Sequence, residues 1–234
     1  MPPARPAASN ESSESTMYSR FSFMDFVDHL VFSCSDLHSG IEYVADHLGV
    51  SPVLGGRHPQ WGTHNALISL GNSTYFEIIA PDPEVDERVQ RPEVFTGTGS
   101  GSLSTWAASL DDLPSRQDRA RLGGHQFGEI LEGSRITESG LLLEWSLTNP
   151  ITRLMDGVVP FLIDWGRSPH PSGACTQGCI LRRLSLLHPE PESVRAIFSD
   201  IGLQLSESLE VTRADAPGMV ATIETPRGEI EIRS

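Results

Sequence analysis

The stretch VDHLVFSCSDLHSGIEYVADHLG, residues 27–49, carries two elements and the punctuation between them. Residues 27–33 form an apolar, strand-like run. Asp36 then stands where a helix N-cap belongs, because a short carboxylate can accept from the unpaired N–H groups of a first helical turn. Ile41, Val44, Ala45 and Leu48 follow at i, i+3, i+4 and i+7, one face of a helix, and Gly49 stops it. Moving this segment by 153 positions lays Ile41 on Val194, Leu48 on Ile201 and Gly49 on Gly202. The pattern is therefore a repeat, and a repeat sets the architecture.

Outward from that core, SPVLGGRHPQWG (51–62) reads as a turn-rich irregular arm. Two strand candidates follow at 65–70 and 75–79, separated by Gly71, Asn72, Ser73 and Thr74 as a hairpin loop. The same order returns with a strand at 103–110, a weak helix at 112–122 stopped by Gly123 and Gly124, and strands at 126–131, 141–147 and 158–165. A shift of 76 brings Asp36-Leu37 onto Asp112-Leu113, and one of 74 brings Gly49 onto Gly123. A third, shorter unit has a strand at 180–187, a helix with Val194, Ile197, Phe198 and Ile201 on one face, and strands at 219–224 and 229–233. The expected fold is α+β: two βαβββ modules at 21–96 and 97–178 and a partial third βαββ module at 179–234. Gly97 to Gly101 link the modules, and the third unit is expected to cover a sheet edge. Residues 82–87 (DPEVDE) read as a solvated acidic loop.

Composition narrows the chemistry. The 234 residues hold 31 acidic and 17 basic side chains, a net charge of −14, and every basic residue is Arg. Without lysine there is no Schiff base, no pyridoxal phosphate anchor and no Walker P-loop. An acidic chain is a poor ligand for polyphosphate, so no nucleic acid is expected, and no apolar run is long enough to span a membrane. Three cysteines, Cys34, Cys175 and Cys179, do not make a disulfide framework, and the C-x3-C pair has no second pair to complete a zinc site. Residues 1–20, rich in Pro, Ala and Ser, read as a disordered tail without a signal-peptide apolar core, so the expected compartment is the cytoplasm.

The segments Asp28-His29-Leu30-Val31, Gly55-Gly56-Arg57-His58-Pro59, Gly62-Thr63-His64-Asn65-Ala66-Leu67-Ile68 and Tyr75-Phe76-Glu77-Ile78-Ile79-Ala80-Pro81 resemble the glyoxalase-like domain. That domain is a branch of the vicinal oxygen chelate superfamily. The resemblance covers about residues 26–165, and the chain from Cys179 is similar to the extra half-module of such proteins. It implies paired modules closing a U-shaped sheet around a cleft, where metal-using members hold a divalent ion on ligands from the first and last strands of each module.

On this resemblance His29, Glu77 and Asp164 match the metal-ligand positions for Zn, Mn, Fe or Ni. Period-2 alternation puts His29 on one strand face with Val31 and Ser33, and Glu77 with Tyr75 and Ile79. Glu77 lies in an apolar strand, where a carboxylate needs a cation or a pair of donors. Trp165 alternates away from Asp164 and is expected in the core. His64 is the candidate general base, and Arg57, His58, Trp61 and Asn65, from a loop dense in glycine and polar donors, are the candidate substrate contacts. Arg57 suits a substrate carboxylate. One position departs from the pattern: the second module offers Ser104 or Thr105 where a His or Glu is expected, and the third unit offers Arg182. The implied function is a glyoxalase-like enzyme, of lyase, isomerase or dioxygenase type, acting on vicinal oxygens of a small molecule. The alternative is a metal-free binding or sequestering protein, and a further one is a homodimer built on the pseudo-repeat.

Overall fold

A computed structural model describes residues 26–71, 73–86, 88–136 and 140–234. The tail expected at 1–20, Asn72 of the hairpin loop and Glu87 of the acidic run lie outside the described residues.

The first module runs β1 (Val27–Ser33), α1 (Leu37–Leu48), β2 (Val53–His58), β3 (Thr63–Ser69) and β4 (Tyr75–Pro81). Asp36 caps α1 by accepting from the Ser39 amide at 2.8 Å, and Gly49 ends it at φ 69°, a left-handed turn that suits glycine. The second module runs β5 (Ser102–Ser109), α2 (Leu113–Leu122), β6 (Ile130–Ile136), β7 (Leu142–Thr148) and β8 (Phe161–Asp164). The eight strands make one sheet in the order β2-β3-β4-β1-β5-β8-β7-β6. Within each module the first strand pairs parallel with the last, and β1 joins the modules by pairing antiparallel with β5. The sheet curves until its outermost strands meet across the opening: a Cβ on Gly56 of β2 would lie 3.4 Å from Arg135 Nη1 of β6.

Both faces of β1 are covered, so all seven of its residues are buried. Leu30 and Phe32 face the helices and the main core. Val31 faces the concave side, where Ile79, Ala107, Phe161 and Ile163 form a second apolar cluster.

Three local differences from the sequence reading have physical causes. Residues 53–58 form strand β2 instead of an irregular arm, with a bulge between Leu54 and Arg57 that absorbs Gly55 and Gly56. β8 is short, because the preceding 3-10 segment Leu154–Gly157 contains Met155 and Asp156 at φ 51° and 59°. In the acidic run Asp82 is buried, not solvated, and its carboxylate accepts from Arg57 and from the Glu84 amide.

The last unit contains β9 (Ile180–His188), α3 (Pro191–Ile201), β10 (Leu209–Arg213), β11 (Gly218–Thr225) and β12 (Gly228–Arg233). β10 adds a strand to those the pattern marked. The order β10-β9-β11-β12 places β9 parallel to β10 rather than to the last strand, so the unit repeats the elements of a module but not its pairing. It does not cover a sheet edge: its apolar face joins the main core on the helical side, where Phe198 meets the buried Trp106 edge-on at 6.2 Å. Arg116 and Arg119 of α2 donate to Ile201 O, pairing a carbonyl left open at the end of α3.

Candidate functional site

The concave face of the eight-stranded sheet encloses a cavity of about 490 Å³, a size typical of small-molecule sites. Its apolar part is built from every second residue of the central strands, Val31, Ile79, Ala107, Phe161 and Ile163, with Phe95 and the indoles of Trp61, Trp145 and Trp165. Its polar part includes His29, Glu77, Asn65, Tyr75, His58 and Arg135.

His29 is held on three sides. Asp28 Oδ1 lies 2.6 Å from His29 Nδ1, the Tyr75 ring stacks on the imidazole at 4.5 Å, and Phe161 meets it edge-on at 5.4 Å. Adjacent residues of a regular strand point to opposite faces. A register shift between Val27 and His29 in the β1–β5 pairing makes Asp28 a bulge residue and re-aims its carboxylate toward the cleft.

Asp28 is wholly buried, and its other oxygen accepts from Trp165 Nε1 at 2.9 Å and His170 Nε2 at 3.2 Å. Burial pushes its pKa up, but the hydrogen bonds from His170 and His29 outweigh that and leave it below the usual 3.8. An ionised carboxylate only accepts, so His29 carries its proton on Nδ1 and His170 on Nε2. His170 Nδ1 is then free to accept from the Ser172 hydroxyl at 2.8 Å. Three donors satisfy one buried anion, and the lone pair of His29 Nε2 is left for the cavity.

Glu77 faces that lone pair. Its Oε2 lies 3.7 Å from His29 Nε2, and its Oε1 accepts from Asn65 Nδ2 at 2.5 Å. Asn65 Oδ1 in turn accepts from the Gly56 amide at 2.8 Å. A Cβ on Gly55 would fall 2.2 Å from Asn65 Oδ1, so the bulge glycine leaves room for this contact. His58 stands beside the site with Nδ1 3.2 Å from Thr63 Oγ1, and burial lowers its pKa below the ordinary 6.5. Burial, reinforced by Asp28 and Glu77, holds the Tyr75 phenol well above 10, so its hydroxyl keeps its proton.

The structure brings together His29, His58, Trp61, Asn65 and Glu77 and leaves out three other candidates. His64 and Arg57 are each the strand neighbour of a cavity residue and alternate away from it. His64 does not line the cavity, and Arg57 is ion-paired to Asp82 at 3.1 Å and Glu84 at 2.7 Å. Asp164 also alternates away and accepts from the Gly166 amide at 2.8 Å, whereas Trp165, expected in the core, is a cavity wall.

Strand register explains the fate of the expected metal set. Val31 pairs with Glu77 in the first module, and its repeat-related partner Ala107 pairs with Phe161 in the second. Phe161 thus occupies the carboxylate position, and the same shift of 76 puts Thr105 at the position of His29. A hydroxyl and a phenyl ring do not complete a chelate. Among the described residues no three His, Cys, Asp or Glu side chains converge as metal ligands. The residues present do not fit a tightly held divalent ion.

Sequence reasoning did not mark Asp28, His170 or Arg135. The signal for Asp28 was a charged residue between Val27 and a candidate histidine in an otherwise apolar strand. His170 and Arg135 had none, because their place depends on a long connection and on an edge strand. Cys34, Cys175 and Cys179 are buried free thiols, and burial pushes Cys34 and Cys175 up to about 11.

A profile of the glyoxalase-like domain matches residues 27–202, from β1 through the end of α3. No curated protein matches the chain. Among solved structures, a hypothetical protein from Staphylococcus aureus is 12% identical with a TM-score of 0.55, over 88% of this chain and 84% of that one. Methylmalonyl-CoA epimerase from Mycobacterium tuberculosis is 19% identical with a TM-score of 0.39, over 67% of this chain and 97% of that one. With three quarters of its length inside the profile and the paired modules in place, the chain belongs to the glyoxalase-like domain family.

Proposed function

We propose that the cavity is the active site of a small-molecule enzyme of isomerase or lyase type, in which His29 moves a proton at a carbon alpha to a carbonyl group. The observation that carries this reading is the placement of His29 between two carboxylates, with Asp28 on Nδ1 and Glu77 across from Nε2. A proton taken from substrate by Nε2 makes an imidazolium that Asp28 stabilises on one side and Glu77 on the other. Asp28 fixes the tautomer and the ring plane, which is a positioning role. Asn65 holds Glu77 in place, and the aromatic walls exclude water. The protonated Tyr75 hydroxyl, hydrogen-bonded to no described residue, is a donor for an oxygen gaining charge. The metal that the resemblance implies has only His29 and Glu77 here, and no step runs through it.

The test is deuterium incorporation from heavy water into a panel of small α-acidic carbonyl compounds, followed by proton NMR. The wild-type protein is expected to exchange at least one of them. His29→Gln should abolish this, and Asp28→Asn should slow it by about 10²- to 10³-fold. The filled ligand positions at Thr105 and Phe161 favour a second reading, a binding protein that retains the cavity without turnover. Tight binding of a compound with no exchange in the wild-type protein selects that reading.

A further inference from the structure

Arg135 is the one arginine among the described residues that line the cavity, and the reading above does not use it. It lies on β6 in the same alternation as Leu131 and Gly133, faces the cavity, and is partly buried there. It makes no hydrogen bond or ion pair with any described residue. Among the arginines of the described residues only Arg167 shares that condition, and Arg167 is exposed on a turn. Arg57, by contrast, is held by Asp82 and Glu84, whereas no carboxylate of the described residues pairs with Arg135.

A guanidinium withdrawn from bulk water without a partner is costly, and its planar fork matches a carboxylate in two parallel hydrogen bonds. On the facing strand Gly56 presents no side chain, so nothing there competes with a ligand for the guanidinium. The charge of Arg135 also bears on His58 and Tyr75, so it is felt on the wall where His29 stands. The rest of the wall selects the body of the ligand: Trp61, Trp145 and Trp165 offer flat apolar faces. The rim selects its charge, because Glu129 and Glu132 line the same cavity in a chain of net charge −14 and repel a multiply charged anion.

We infer that Arg135 anchors the carboxylate of a flat, apolar monocarboxylate and so presents its reactive carbon to His29. This names the substrate class of the proposed active site and rests on that reading.

Binding of 2-naphthoate and of its neutral counterpart 2-naphthamide, followed by calorimetry and by quenching of the cavity tryptophans, tests it without requiring turnover. The wild-type protein should bind the acid about ten- to a hundredfold more tightly than the amide. Arg135→Gln should erase that preference and leave amide binding unchanged. Arg135→Lys, which keeps the charge and loses the fork, should fall between, and Arg167→Gln should match the wild type. Equal affinity for acid and amide in the wild type, or a preference that survives in Arg135→Gln, overturns the anchor while the cavity reading stands. Failure of both probes to bind overturns the anchor and the cavity reading together. Because His29→Gln keeps Arg135, retained acid preference in that variant separates the anchor from the proton chemistry.

Discussion

At the residue scale, the site depends on where single protons sit. His58 shows the pH consequence most directly. Burial, aided by Arg135 and opposed by Glu77, holds its pKa below 6.5 in the folded chain. As pH falls through 6.5 the unfolded chain takes up a proton that the folded chain refuses, so stability is lost from that point down to the folded value. Urea midpoints at pH 7.5 and pH 5.0 should therefore fall further for the wild-type protein than for His58→Gln. Equal losses in the two would remove His58 from the acid response. Asp28 has a window of its own: its lowered carboxyl adds stability above 3.8, and that contribution disappears as pH falls through its folded value.

At the element scale, alternation decided which candidates reached the cavity. In His58 and Arg57, in Asn65 and His64, and in Trp165 and Asp164, one neighbour faces the cleft and the other does not. The sequence marks each pair, but the choice within it depends on register against the adjacent strand, a long-range property. β1 and α1 were legible because cap, helical spacing and stop glycine are all local. β2 was not, because Gly55 and Gly56 resemble a loop until the bulge shows that they admit Asn65. Asp28 was hidden for a related reason, since only the bulge lets it share a side with His29.

Gly133 of β6 gives the element-scale prediction. A Cβ there would lie 2.4 Å from the Trp145 ring, so Gly133→Ala must push that indole out of the cavity wall. The expected loss is about 1–3 kcal/mol, with an altered near-ultraviolet circular dichroism spectrum. Gly173→Ala, where no heavy atom lies within 4 Å of the added carbon, is the neutral control. An unchanged spectrum in Gly133→Ala would show that the indole does not depend on the glycine.

At the scale of the whole molecule, the last unit completes the main core. Leu184, Leu186, Val194, Ile197, Phe198 and Ile201 pack there with Trp106 and Phe32, and Arg227 reaches back to donate to Asp46 O at the end of α1. A chain ending at Gly178 would expose that face to water. It is expected to bind a hydrophobic dye and to lose its cooperative urea transition. A sharp transition in the shortened chain would make the last unit dispensable. No helix among the described residues is long and apolar enough to cross a membrane.

The repeat that sets Thr105 at the position of His29, and Phe161 at that of Glu77, has a consequence for how such a protein can change. Two halves built on one plan hold different groups: His29, Asn65 and Glu77 stand in the first, and the second supplies aromatic walls, the Trp165 and His170 donors to Asp28, and an arginine. On the proposed reading, substitutions in β6 and β7 can reshape what is admitted while the polar groups of β1, β3 and β4 keep their contacts. A change of ligand therefore has a separate surface on which to act.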